Sequence, residues 1–459
     1  MPADTDTIAA IATPAGRGAL GIVRMSGPEA VAIAGRVFRG ASGDPAGFES
    51  HTVHFGRVVS GDGLVDTVLL TLMRAPRSYT GEDTVELSCH GGRVVLGRVL
   101  RAVVAAGARP AGPGEFTLRA FLNGRMDLAQ AEAVQELIAA ESELGARVAA
   151  EQLSGRLSRI VGALRDGLVE ARAEIEAAID FPDEDIEPAD RHALLGRLQA
   201  LRKEARALLE TFEEGRRVRE GVHVVIAGKP NVGKSSLMNA LLDEERAIVT
   251  EEPGTTRDVL RESLIYQGVA LTVADTAGIR APRGAAEIEG VRRSREALAQ
   301  ADLVLFVLDG SAPVDDLDRE IARDIAGRPA IVVINKRDLA LRANVADLGH
   351  GFAPDGAVQT SALRKSGLHE LKEAIIAHAW PSGLPRHGGA LITQARHRDA
   401  LDRAEAALAR TAEVLETGGG PELAAVEARE ALDALGEIVG AVTSDDILDA
   451  IFSKFCIGK

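Results

Sequence analysis

The residues best suited to do chemistry lie at Gly228-Lys229-Pro230-Asn231-Val232-Gly233-Lys234-Ser235, a G-x-x-x-x-G-K-S run. Its glycines let successive backbone N–H groups turn toward phosphate oxygens, and a helix opening there adds positive potential. Lys234 can reach the outer phosphates, and Ser235 can hold Mg2+. The pattern binds a nucleoside triphosphate when a buried strand precedes it and a helix follows. Both are predicted here, from the apolar run Val222–Ala227 and from residues 236–242.

A second run names the base. Asn335-Lys336-Arg337-Asp338 follows the apolar residues 330–334 and fits N-K-x-D. Guanine presents two adjacent donors that one carboxylate, Asp338, can accept. Adenine would leave that carboxylate unpaired, which is costly. Asn335 and Lys336 would brace the loop and cover the base. Ser361-Ala362-Leu363 fits the loop whose backbone N–H meets the guanine oxygen. Asp275-Thr276-Ala277-Gly278 ends a predicted strand at 271–274 and offers a carboxylate for Mg2+ and an amide that senses the γ-phosphate. Thr256, after Gly254 and Thr255, is the mobile threonine that completes Mg2+ coordination. The whole segment Thr250-Glu251-Glu252-Pro253-Gly254-Thr255-Thr256, with Asn231 to Ser236, is assigned to the nucleotide site. Four motifs in this order, each after a strand, define a GTPase domain.

Two groups common in small GTPases are missing. Ile279-Arg280-Ala281 follows Gly278, with no glutamine to orient water, and no arginine finger is identifiable. Asn231, with carbonyls of Thr250, Glu252 and Thr255, can instead hold a monovalent cation beside the phosphates. Such an ion supplies the positive charge that an arginine otherwise brings.

The elements that must position these groups occupy only part of the 459 residues. Residues 1–118 are predicted to be β-rich with helices. Candidate strands are 19–24, 52–56, 67–72 and 84–88, and a helix over 93–106 ends at Gly107. Residues 119–215 are rich in Ala, Leu, Glu and Arg at helical spacing, broken at the acidic run 180–185, where a solvated turn is expected and a metal site is the lesser alternative. Residues 216–380 alternate strand and helix, as a doubly wound, mostly parallel sheet does. Helical texture returns over 381–459, with helices expected at 393–417 and 421–451. One helical domain interrupted by an inserted P-loop domain is the expected arrangement, so the fold class is multidomain α/β and α.

The net charge of −15 repels phosphate backbones at long range, and 3% aromatic content leaves little for base stacking. A dedicated high-affinity nucleic-acid binder is therefore disfavoured, while a local basic patch is not. No run of eighteen apolar residues and no basic leader is present, so a soluble cytoplasmic protein with no membrane role is expected. Two cysteines, Cys89 and Cys456, make no disulfide framework.

The chain resembles the MnmE (TrmE) family of tRNA-modification GTPases along essentially its whole length. The resemblance is carried by residues 8–14 and 21–27, Ser78-Tyr79-Thr80-Gly81-Glu82-Asp83, Glu86, His90-Gly91-Gly92, residues 113–117, residues 119–133, and the terminus Phe455-Cys456-Ile457-Gly458-Lys459. It implies an N-terminal α+β domain, aminomethyltransferase-like, that binds a tetrahydrofolate derivative (5-formyl- or methylene-tetrahydrofolate) and forms a homodimer. It implies a flavoprotein partner, MnmG (GidA), in a heterotetramer that carries FAD on the partner only, with tRNA in the joint complex. The reaction implied installs an aminomethyl or carboxymethylaminomethyl group on carbon 5 of the wobble uridine. Potassium-dependent pairing of G domains would drive the cycle.

Matched residue by residue, folate contacts fall on Arg24, Glu86, Arg125 and Lys459. Family members commonly carry lysine where Arg125 stands, which keeps the charge and changes the geometry. Potassium ligands fall on Asn231, Thr250, Glu252 and Thr255. Glu287 matches a glutamate that positions water through a second water. Cys456 becomes a candidate nucleophile or acid–base group; glycine at an aliphatic position and a terminal lysine argue against a prenylation signal. Cys89 is taken as structural. The alternative reading, a ribosome-assembly GTPase switch, shares an asparagine in the P-loop but usually comes with a basic RNA-binding module.

Overall fold

Apolar runs too short for buried helices and bounded by glycine and polar turns become strands, and they build two sheets. The computed structural model describes residues 6–61, 63–180, 188–243, 261–275, 298–349, 351, 356–385 and 389–459. The chain forms two compact units. One comprises Met1–Gln135, Glu151–Ala205 and Ala400–Lys459, and the other Glu136–Ala150 and Arg206–Asp399. The multidomain α/β and α class expected above is the one observed.

The first unit holds strands β1 (Ile8–Ile11), β2 (Leu20–Ser26), β3 (Phe38–Gly40), β4 (Thr52–Ser60), β5 (Gly63–Met73), β6 (Thr84–His90) and β7 (Arg109–Pro110). They form one sheet in the order β3-β4-β5-β6-β2-β1-β7. Every pairing is antiparallel except β1 with β7. Helices Ala30–Val37 and Arg93–Ala105 close one face, burying Ile33, Val99 and Val103 against Val23, Leu70, Leu72 and Leu87. The second helix ends as predicted, because Gly107 takes φ +123 and its N–H returns to the Val104 carbonyl at 3.0 Å.

The β1–β7 edge is tied by charge. Arg119, nearly buried, donates to Asp6 (2.6 Å), Glu115 (3.1 Å) and Glu82 (3.3 Å), and Arg109 also reaches Asp6 and Glu115 (both 2.6 Å).

In the helical part of this unit, helix Pro421–Val439 packs along helix Arg156–Asp180. The helix expected over 421–451 is two helices. Gly440 adopts φ +81 as a left-handed terminator, and Ser444 restarts the chain as the N-cap of Asp445–Phe452, its hydroxyl accepting from the Ile447 N–H. That short helix buries Leu448, Ile451 and Phe452 against Leu128, Ala131 and Val134. The acidic run expected to form a turn is, beyond Asp180, outside the described residues.

The second unit holds β8 (Val222–Ala227), β9 (Arg261–Tyr266), β10 (Val269–Asp275), β11 (Leu303–Asp309), β12 (Ala330–Asn335) and β13 (Val358–Gln359). The sheet order is β13-β12-β11-β8-β10-β9, with only β9 antiparallel to its neighbour. The path winds to one side of β8 and then to the other. That reversal opens a crevice at the carboxyl ends of β8 and β11, where ligands bind in such sheets. Separate apolar layers cover the two faces. Leu144 and Val148 join one of them, which accounts for Glu136–Ala150 belonging to this unit.

Candidate functional site

The loop after β8 is shaped by backbone that ordinary side chains avoid. Gly228 lies at φ +150, Asn231 at +64 and Gly233 at +96. A Cβ on Gly233 would meet the Asn335 amide nitrogen at 2.3 Å, so the position admits only hydrogen. Helix Lys234–Asp243 opens directly from the loop, with the Leu237 N–H on the Gly233 carbonyl at 2.8 Å. Lys234 is buried and folds back, its ammonium donating to the Gly228 and Lys229 carbonyls at 2.9 Å each. A cleft of about 670 Å³ lies alongside, lined by Asn231, Gly233, Lys234, Ser235, Ser236 and Lys336 among others.

Strand pairing brings the N-K-x-D run to this loop. β12 ends at Asn335, in register with Asp309 at the end of β11. The Asn335 amide donates to the Val232 carbonyl at 2.9 Å and its oxygen accepts from the Ala362 N–H at 3.1 Å. One side chain thus joins the P-loop to the Ser361-Ala362-Leu363 loop. Lys336, at φ +65, donates to the Asn231 carbonyl (2.9 Å) and to Asp309 (2.6 Å). Burial alone would raise the Asp309 carboxyl; Lys336 and the hydroxyl and N–H of Ser311 outweigh it and hold it below its ordinary value. Asp338 is exposed and accepts from the Ser361 hydroxyl, which keeps it ionised to lower pH than usual.

Asp309 carries part of the site and was not singled out from sequence. Its signal is a carboxylate terminating the apolar strand Leu303–Asp309. Lys229 was also missed. Its ammonium bridges Asp315 (2.7 Å) and Asp318 (2.8 Å), the two members of a capping box on helix Asp316–Asp324. Burial would depress this lysine, and the two carboxylates reverse that, holding it above its ordinary value.

Asp275 is the last residue of β10. Thr250, Glu251, Glu252, Pro253, Gly254, Thr255, Thr256, Thr276, Ala277, Gly278 and Glu287 lie outside the described residues.

A second cluster forms in the other unit. β2 and β6 place Arg24 opposite Glu86. Two guanidinium nitrogens of Arg24 reach the same Glu86 oxygen, at 2.8 and 2.7 Å. Arg24 also donates to the Gly458 carbonyl at 3.4 Å, 434 residues along the chain. Its guanidinium carbon stands 5.8 Å from the Tyr79 ring centre and 5.7 Å from that of Phe116, while the Lys459 ammonium lies 5.9 Å from Tyr79. The Tyr79 hydroxyl is 2.9 Å from that of Thr117. Burial, then the charge of Arg24, push the Lys459 amine below its ordinary value against a smaller pull from Glu86. Burial raises the Tyr79 phenol, with Thr117 and Arg24 opposing.

The structure therefore brings Arg24, Glu86 and Lys459 together. Arg125 is exposed, with its side chain over Gly81, where a Cβ would lie 3.3 Å from it, and no hydrogen bond or ion pair joins it to that cluster among the described residues. The Cys456 thiol is exposed and makes no hydrogen bond among the described residues; its carbonyl accepts from Gly114 (3.4 Å) and Lys459 (3.3 Å). Cys89 is buried, its thiol pushed up to about 12 by burial and then by Asp66, which suits a packing role. Tyr79, Phe116 and Thr117 are cluster members that sequence reasoning did not select.

A P-loop at the switch point of a mostly parallel sheet, joined through one asparagine to an N-K-x-D strand end, defines a GTPase of the P-loop class. Two family models match: one described as GTP-binding protein TrmE N-terminus over residues 7–125, and one described as MnmE helical domain over residues 128–456. The tRNA modification GTPase MnmE of Geobacter metallireducens is 47% identical over 99% of each chain. Those of Geobacter sulfurreducens and Heliobacterium modesticaldum are 49% and 46% identical, again over 99% of each. The chain belongs to the MnmE family of tRNA modification GTPases. Among the described residues no helix is long and apolar enough to cross a membrane.

Proposed function

We propose that this GTPase, with the flavoprotein MnmG (GidA), installs an aminomethyl or carboxymethylaminomethyl group on carbon 5 of the wobble uridine of tRNA. The observation that carries this reading is the convergence of Arg24, Glu86, Tyr79 and the C-terminal Lys459 in a unit separate from the P-loop. A carboxylate flanked by cations and an aromatic face suits a ligand with a planar, donor-edged ring and an anionic tail. A tetrahydrofolate derivative is such a ligand and would supply the one-carbon unit. Glu86 would accept from the ring's donor edge in bidentate fashion once Arg24 releases one of its two bonds. Arg24 and Lys459 would then pair with the tail, with Arg125 approaching from the Gly81 loop. The exposed Cys456 thiol is the candidate acid–base or nucleophilic group.

At the P-loop, Lys234 would leave the Gly228 and Lys229 carbonyls for the outer phosphates of GTP. Ser235 and Thr256 would hold Mg2+, with Asp275 behind its water. Asp338 would accept the two guanine donors, with the Ser361-Ala362-Leu363 amides at the guanine oxygen. K+ beside Asn231, Thr250, Glu252 and Thr255 would supply positive charge to the transferring phosphoryl group. Glu287 would orient the attacking water. In this reading 216–380 is the G domain inserted between helical segments 119–215 and 381–459, residues 1–118 form the homodimer contact, and the protein works in the cytoplasm.

The test is mass spectrometry of tRNA nucleosides from a strain lacking this chain, complemented with wild type or with Glu86→Ala. The reading expects unmodified wobble uridine without the chain, restoration by wild type, and no restoration by the variant although it hydrolyses GTP. Unchanged wobble uridine in the deletion strain overturns it.

A further inference from the structure

The net charge of −15 is not spread evenly. Residues 1–118 hold eleven arginines against eleven carboxylates, so the whole excess of negative charge lies in 119–459. Within that neutral segment, helix Arg93–Ala105 has no acidic residue at all. Its buried side, Leu96, Val99, Ala102 and Val103, packs on the sheet. Its other side carries Arg93, Gly97 and Arg101 in four-residue steps, with Arg98 and Val94 beside them, and all three arginines are exposed.

None of these arginines makes a hydrogen bond or ion pair among the described residues, whereas Arg24 and Arg109 of the same segment are both paired. Arg101 lies back along the helix, its guanidinium 3.5 Å from where a Cβ on Gly97 would stand, toward Arg93. Arg98 and Arg101, three apart, repel each other. Arg93 sits in the first turn, where a cation opposes the helix dipole. Helix stability thus explains none of the three. The exposed Arg17 is next to Gly18, whose N–H bonds the Gly91 carbonyl at 3.2 Å just before the helix begins. Asp66, on β5, is committed to His90.

We propose that this helix face docks the sugar–phosphate backbone of the tRNA substrate. Unpaired guanidinia repeating along one face match a row of phosphates. The patch serves positioning rather than base reading, and it lets an otherwise acidic chain receive RNA at one place. The inference rests on the tRNA reading above.

The test is binding of bulk tRNA, isolated from a strain lacking this chain, to the full-length protein across a salt series. Wild type is compared with Arg93→Gln/Arg98→Gln/Arg101→Gln and with the corresponding triple lysine variant. The glutamine variant is expected to bind about tenfold or more weakly, with the salt slope reduced by roughly two to three. The lysine variant should keep most of the slope, and GTP hydrolysis should be unchanged in both. Equal affinity and slope for the glutamine variant overturn the proposal while leaving the tRNA reading intact. Loss of flavoprotein association with undiminished tRNA binding overturns it in favour of a protein partner. No tRNA binding by wild type, alone or with the flavoprotein, overturns the tRNA reading together with it.

Discussion

The nucleotide site depends on a few atoms whose roles separate cleanly. Asp338 is an exposed carboxylate held by Ser361, free to accept a base with two adjacent donors. Asp338→Asn replaces one acceptor with a donor that meets guanine's own donors. GDP affinity should fall at least about a hundredfold, while xanthine nucleotides, with a carbonyl where guanine has its amine, should bind better than to wild type. Fluorescent-nucleotide titration reads both, and undiminished GDP binding would remove Asp338 from the base site. Asn231 supports a second prediction. Its backbone is fixed at φ +64 and its carbonyl is occupied by Lys336, so its side-chain oxygen is the group left to face a cation. GTP hydrolysis should be several-fold or more faster in KCl than in NaCl at equal ionic strength, and Asn231→Ala should erase the difference. Equal rates in the two salts would sink the cation role. These residues could be singled out in sequence because each motif is local: a glycine, a lysine and a carboxylate at fixed spacing. Asp309 and Lys229 were not, because their partners arrive only through strand register and through a helix cap eighty-six residues away.

At the scale of elements, sequence reading succeeded where a run had a face to bury. β8 was predicted residue for residue, and β4, β5 and β6 were each found but cut short, since their outer ends carry polar or small residues. β3 and β7 have three and two residues, too few to show a period. The helix expected to run through Gly440 breaks there because a left-handed glycine and a serine cap cooperate. That break lets the tail turn from Phe452 toward Arg24. Gly458 holds the turn, at φ +101, with the Ile11 carbonyl 2.5 Å from where a Cβ would stand. Gly458→Ala must therefore shift the tail and with it the carbonyl that binds Arg24 and the amine of Lys459. Folate affinity is expected to fall about tenfold or more, given loss of one charged contact and one hydrogen bond, with GTP hydrolysis unaltered. Isothermal titration with 5-formyl-tetrahydrofolate measures it, and wild-type affinity in this variant would detach the tail from the folate site.

For the whole molecule, the two candidate sites are divided by unit. Every nucleotide-site residue named above falls within Arg206–Asp399, and Arg24, Glu86, Tyr79 and Lys459 all fall in the unit that contains both chain ends. The chain crosses between the units four times, so neither is a simple segment of sequence, which is why composition alone suggested the split without fixing its edges. Each unit has its own apolar core, Leu144 to Leu391 in one and Ala9 to Ala108 in the other. Ligands that bind only the folded form stabilise the unit that holds them, by about 2.7 kcal/mol at a hundred times the dissociation constant. Differential scanning calorimetry should therefore resolve two transitions. GDP with Mg2+ should raise one by several degrees, 5-formyl-tetrahydrofolate should raise the other, and the two together should raise both. Glu86→Ala should abolish only the folate shift, and Asp338→Asn only the GDP shift. A single transition that moves as a whole with either ligand would mean that the four crossings bind the units into one cooperative body. Hydrolysis at the P-loop would then have to act on the Arg24 cluster through global stability rather than through movement of one unit against the other.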